Sequence, residues 1–128
     1  MLKLRSNPQN ILEVEQFVTE LMARYEIRSD LHPNILISLT EAVNNAIRHG
    51  NREDENKIVS VDLKKNNGTL YFRICDEGNG FDPERIPDPT CPENLQKIGG
   101  RGVYIMQQLC DKLCYKSNGS IVELEFKL

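Results

Sequence analysis

Ile58 to Leu63 alternate apolar with polar residues, Leu70 to Cys75 alternate again, and Asn66-Asn67-Gly68 lies between them. Two runs of period two joined by Asn-Gly specify an antiparallel hairpin, because that dipeptide accepts the positive φ angles a tight turn needs. Directly after the hairpin, the stretch from Asp76 to Gly102 holds Pro83, Pro87, Pro89 and Pro92 and most of the glycines. Prolines at that spacing stop both helices and ladders, so a long loop is expected there, and long loops are commonly functional.

The elements before and after this centre follow from the same rules. Leu2 and Leu4 alternate with Lys3 and Arg5 as a half-buried strand. Asn7 is placed to cap a helix with Pro8 at its first position, and Ile11, Leu12, Val14, Val18, Leu21 and Met22 recur at helical spacing to about Tyr25. Ser29-Asp30 offers a second cap, and a second helix runs from Ile35 to His49, with Gly50-Asn51 as its expected stop. Val103, Ile105, Met106, Leu109 and Leu113 predict a third helix, and Asn118-Gly119 joins two last strands, Leu113 to Ser117 and Ile121 to Lys127. Strand, helix, helix, hairpin, long loop, helix, hairpin is an α+β order, read as a two-layer sandwich in which about three helices cover one face of a mixed, mostly antiparallel sheet.

With 128 residues, one domain spanning 1–128 and one core are expected. A net charge of −3 without a basic stripe argues against direct nucleic-acid binding. No apolar run approaches the length of a membrane span, and Met1 to Ser6 lacks a signal-peptide apolar region, so the cytoplasm is the expected compartment. Cys75, Cys91, Cys110 and Cys114 form no C-x-x-C pair and have only His32 and His49 beside them, which favours reduced thiols over a zinc site.

Three polar constellations carry the chemistry. On the second helix, Ile35, Leu39, Ala42, Val43 and Ala46 complete a core face, while Glu41, Asn44, Asn45, Arg48 and His49 share the opposite one. Glu41 and Asn45 are one turn apart, which sets a carboxylate beside a carboxamide. Taken alone, this stripe reads as a solvated face; chemically, the Glu can act as a base and the Asn oxygen can serve as a hard ligand for Mg2+. The second constellation, Asp76-Glu77-Gly78-Asn79-Gly80-Phe81-Asp82-Pro83, begins where a strand ends. Its glycines permit close backbone approach, and Asp76 can accept a hydrogen bond from an exocyclic amine such as that of adenine. An EF-hand loop fails because Gly78 and Gly80 occupy positions that need oxygen ligands, and a dinucleotide fingerprint fails at Pro83. The third, Gly99-Gly100-Arg101-Gly102, opens a helix with free N–H groups and a guanidinium suited to an anion, yet lacks the Lys-Ser or Lys-Thr of a Walker A loop.

In chain order, Glu41 to Asn51 (E-A-V-N-N-A-I-R-H-G-N), Asp76 to Asp82 (D-E-G-N-G-F-D) and Gly99 to Met106 (G-G-R-G-V-Y-I-M) resemble the N-, G1- and G2-boxes of the GHKL ATPases. The likeness is greatest to the small standalone anti-sigma-factor serine/threonine kinases of the RsbW and SpoIIAB type. It implies the Bergerat ATP-binding fold, ATP and Mg2+ as cofactors, and an ATP lid at about 82–98. It implies Glu41 as the catalytic carboxylate, Asn45 as Mg2+ ligand and Asp76 as adenine reader. Gly78 and Gly80 would shape the adenine pocket, Gly100, Arg101 and Gly102 would hold phosphates, and His49 would join the nucleotide-binding residues, with Asn51 also in a family-like position. The implied activity is transfer of the ATP γ-phosphoryl to a Ser or Thr of a small STAS-type antagonist, with sequestration of a sigma factor and a homodimer. A nucleotide-gated protein-binding module without phosphotransfer and a standalone histidine-kinase-type ATPase domain remain the alternative readings.

Overall fold

A computed structural model describes residues 1–78 and 100–128. Strand β1 (Leu2–Arg5) is followed by helices α1 (Ile11–Arg24) and α2 (His32–Asn45), the hairpin β2 (Ile58–Asn66) and β3 (Thr69–Cys75), helix α3 (Gly100–Leu109), and strands β4 (Lys112–Lys116) and β5 (Ile121–Lys127). The strands form one sheet in the order β1-β2-β3-β5-β4. The mixed sheet of the sequence reading becomes one in which all four described pairings are antiparallel. Expected lid 82–98 and Gly80 lie outside the described residues.

Local chemistry explains the element ends. Asn7 Oδ1 accepts the Gln9 N–H at 3.0 Å, and Pro8 opens a short 3-10 turn that runs into α1. Helix α1 stops on Glu26, in the left-handed region at φ 51°, where Ile27 N–H reaches Met22 O at 3.1 Å to close a Schellman-type cap. The β2–β3 turn uses Asn67 at φ 50° and Gly68 at φ 75°, as the Asn-Gly signal requires. Three expectations are corrected. Strand β2 runs on to Asn66, because the Asn-Gly turn is tight enough to keep pairing up to Asn66 and Thr69. Leu113, which the sequence pattern places in both the third helix and the following strand, belongs only to β4, opposite Leu124, because α3 stops at Leu109. Leu12, at helical spacing, is 74% exposed, because only one side of α1 has a layer to pack on.

The helices lie on one face of the sheet, and the core fills the space between. Val14, Val18 and Leu21 from α1 and Ile35, Leu39, Ala42 and Val43 from α2 meet Val59, Val61, Phe72, Ile74, Leu124 and Phe126 from the strands, all buried. Phe72 and Phe126 pack edge to face, with ring centroids 5.9 Å apart. The opposite sheet face carries no described helix and is charged, with Glu123 bonded to Lys116 at 2.5 Å and Arg73 at 3.3 Å. Those two cations hold the Glu123 carboxyl below its ordinary range, the Lys116 hydrogen bond most of all. No described helix is long and apolar enough to cross a membrane.

Candidate functional site

The second helix stops at Gly50-Asn51, where its sequence suggests, but its last turn is not α-helical. Beyond Asn45 the backbone widens into a π turn, Ala46–Gly50, in which Asn51 N–H reaches back to Ala46 O at 2.8 Å. Gly50 has no positive φ; the left-handed residues are Arg52 at φ 53° and Glu53 at φ 58°, and Glu53 N–H bonds Ile47 O at 2.7 Å. The wider turn changes which residues face inward: Ile47 and Gly50 are buried, while Arg48 and His49 are exposed.

The π turn delivers Gly50 to the end of β3. A Cβ on Gly50 would strike the Asp76 carboxylate, and a Cβ on Gly78 would strike the Gly50 carbonyl. Only bare backbone fits in this crossing, which explains two of the glycines without appeal to turn geometry. Asp76 is partly buried, and its N–H is held by Ser120 O at 2.9 Å. Burial pushes the Asp76 carboxyl above its ordinary value, partly offset by the Gly78 N–H bonded to Oδ1 at 2.9 Å and by the charge of Lys57.

A second crossing joins α2 to the start of α3. A Cβ on Gly102 would lie 2.5 Å from Glu41 Oε2 and 3.4 Å from Asn45 Nδ2, so the first turn of α3 sits against both side chains. Gly100 and Arg101 fall in that same first turn. The two crossings are connected by a narrow cleft lined by Ala42, Asn45, Gly50, Asp76, Met106, Tyr115, Ser120 and Val122, among others. Apolar Ala42, Ile74, Met106 and Val122 and polar Asn45, Asp76, Tyr115 and Ser120 share its walls, and among the described residues it encloses about 20 Å³. Burial raises the Tyr115 hydroxyl far above its ordinary range. A wider concavity lies on the charged sheet face, lined by Asp62, Lys64, Tyr71, Arg73 and Glu123 among others, and gathers none of the residues selected from sequence.

Of the residues selected from sequence, Asn45 and Asp76 line the cleft; Glu41 and Gly102 meet beside Asn45, and Gly78 packs on Gly50, without lining it. His49 does not line the cleft, and Gly80 lies outside the described residues. Tyr115 and Ser120 line the cleft without belonging to any motif: Tyr115 lies inside a predicted strand, Ser120 only follows a turn glycine, and Met106, which closes the third motif, reads as helical core periodicity.

The model of the family described as "Histidine kinase-like ATPase domain" matches residues 4–126. The chain belongs to this family. Among family relatives, the serine-protein kinase RsbW of Bacillus subtilis is 24% identical over 126 residues, covering 94% of this chain and 79% of that protein. The anti-sigma F factor of Geobacillus stearothermophilus is 32% identical over 103 residues, covering 78% of this chain and 70% of that one. A solved histidine kinase domain from the Erythrobacter litoralis EL346 blue-light activated histidine kinase superposes with a TM-score of 0.54 at 23% identity, over 77% of this chain and 45% of that chain. That likeness is one of fold.

Proposed function

We propose that the chain binds ATP in the cleft between α2, β3 and α3 and transfers its γ-phosphoryl to a Ser or Thr hydroxyl of a small antagonist protein, while also holding a sigma factor. The observation that carries this reading is the pair of crossings: an acidic acceptor, Asp76, lining the cleft against Gly50, and Glu41 with Asn45 against the glycine-containing start of α3. An adenine amine would donate to Asp76, and the polyphosphate would extend toward the N–H groups opening α3. The relatives named serine-protein kinase RsbW and anti-sigma F factor support the activity and the partner class.

The residues present fit Mg2+. Glu41 Oε2 and the Asn45 carboxamide, which carries one oxygen donor, meet the start of α3 beside the place proposed for the phosphates, and the described residues hold no cluster of three carboxylate, His or Cys ligands. That donor set suits an ion completed by phosphate and water. Asn45 would hold the ion, which neutralises phosphate charge when bound. Glu41 would take the proton from the acceptor hydroxyl as its oxygen bonds to the γ-phosphorus and the bond to the β-phosphate oxygen breaks, releasing ADP.

The direct test is incubation with γ-labelled ATP, Mg2+ and the small antagonist encoded nearby. Label on an antagonist Ser or Thr is expected; ATP binding without label removes the kinase reading. Glu41→Ala should abolish labelling and retain ATP, and loss of labelling without loss of partner regulation would point instead to a nucleotide-gated binding module.

A further inference from the structure

The register of the central hairpin breaks at an informative place. Pairing between β2 and β3 ends at Ser60 and Cys75. Extending the same register two residues would set Ile58 opposite Glu77, where the next ladder bonds would form. They are replaced by side chains. Glu77 N–H donates to Asn51 Oδ1 at 2.7 Å, and Asn51 Nδ2 donates to Ile58 O at 3.2 Å, so the Asn51 carboxamide bridges groups that would otherwise bond directly. Ile58 N–H in turn donates to the Glu77 carboxylate at 2.5 Å.

Asn51 is 1% exposed, and its second Nδ2 hydrogen goes to Ser6 Oγ at 2.8 Å, whose hydroxyl donates to Lys57 O at 2.8 Å. A buried carboxamide with both hydrogens donated and its oxygen accepting has a fixed orientation. Its consequence reaches the site. The peptide before Asp76 is pinned by Ser120 O, and the peptide after it by Asn51, which itself follows the buried Gly50 that crosses Asp76.

We propose that Asn51 is a positioning residue: by standing in for a peptide unit between β2 and β3, it turns Asp76 out of the sheet and aims its carboxylate into the cleft. The proposal rests on the nucleotide reading, and it predicts that Asn51 governs discrimination of the base without touching it. A carboxylate aimed at the base favours the amine of adenine and disfavours the carbonyl of guanine, whereas phosphate contacts are the same for both.

The test is titration calorimetry of ATP and GTP against the full chain, Asn51→Ala and Ser6→Ala, at a temperature where unfolding curves show each protein folded. Asn51→Ala is expected to weaken ATP by about tenfold, as loss of a well-formed polar contact would, and to change GTP by about twofold at most. Ser6→Ala, which removes only the bond on the far side of Asn51, should lower the melting temperature and keep the preference for ATP. Folded Asn51→Ala with an unchanged ATP-to-GTP ratio would overturn the proposal, since a merely structural asparagine lowers stability without altering base choice. If Asn51→Ala does not fold, Asn51→Ser, whose hydroxyl is too short to span Glu77 N–H and Ile58 O, decides: a fall of about tenfold in the ratio supports the proposal, and no change overturns it. A wild-type chain that bound neither nucleotide would remove the nucleotide reading and this inference with it.

Discussion

Asp76→Asn separates binding from stability, because the same carboxylate is expected to affect them in opposite directions. In the free protein its charged form is disfavoured by burial, and the Gly78 N–H at 2.9 Å can be accepted equally by an amide oxygen. The isosteric variant should therefore hold or raise the melting temperature without ligand. With ATP, the variant can present an NH2 donor toward the amine of adenine. Loss of a hydrogen bond to a charged acceptor amounts to about 1.5–3 kcal/mol, or roughly 10- to 150-fold in Kd. The pH dependences differ as well. Asp76 has a folded-state value raised above its ordinary 3.8, so the unfolded chain releases this proton first, and the residue lowers stability progressively as pH rises through that interval. ATP affinity should rise over the upper part of that interval, as the folded carboxyl ionises. Calorimetric titration with ATP and Mg2+, and thermal unfolding without nucleotide, each across pH, measure both. Unchanged ATP affinity in Asp76→Asn refutes the adenine assignment, and a lowered melting temperature without ligand refutes the burial argument.

Gly102→Ala would bring a Cβ to 2.5 Å from Glu41 Oε2, the far end of a flexible side chain, so the chain should stay folded with Glu41 displaced. Phosphotransfer should fall by about 100-fold or more while the melting temperature changes little; full activity would show that Glu41 is not the base. In Gly78→Ala, by contrast, the Cβ meets the Gly50 carbonyl, which is backbone, so a loss of about 1–3 kcal/mol in denaturant unfolding is expected, and an unchanged midpoint would contradict the close crossing. Far from the site, Glu26→Gly relieves a left-handed residue at φ 51° and should add about 0.5–1 kcal/mol of stability, read from urea midpoints, with ATP affinity unaltered.

The parts of this fold that are legible in the sequence are those written by neighbours in the chain. Asn66-Asn67-Gly68 and Asn118-Gly119 mark both hairpins, and Ile35, Leu39, Ala42, Val43 and Ala46 mark a core face that is buried throughout. Glu41, Asn45, Asp76 and Gly102 could be selected because each belongs to a short motif; Asn45 and Asp76 line one cleft, and Gly102 meets Glu41 beside Asn45. The π turn could not be read, since nothing local distinguishes Ala46–Gly50 from another helical turn; it forms where Gly50 must pass Asp76 and where Asn51 finds partners from three other segments. Those partners, Ser6, Ile58 and Glu77, are distant in sequence from Asn51 or from one another, and a polar residue gives no pattern signal of its burial. Leu12 shows the converse error, because period alone does not say how wide the packed side of a helix will be.

The strand order has a consequence for how the site comes into being. Strand β5 lies between β3 and β4 although it is the last of the five to be made, and Val122 with the neighbouring Ser120 helps line the cleft. Pairings such as Leu2 with Val61 and Thr69 with Lys127 close large loops, which slows folding relative to local contacts. A growing chain on the ribosome can assemble α1, α2 and the first hairpin, yet the cleft has no far wall until Ile121–Lys127 has emerged and inserted. Completion of the cleft and completion of the sheet are one event, so a partly synthesised chain lacks the cleft proposed for nucleotide.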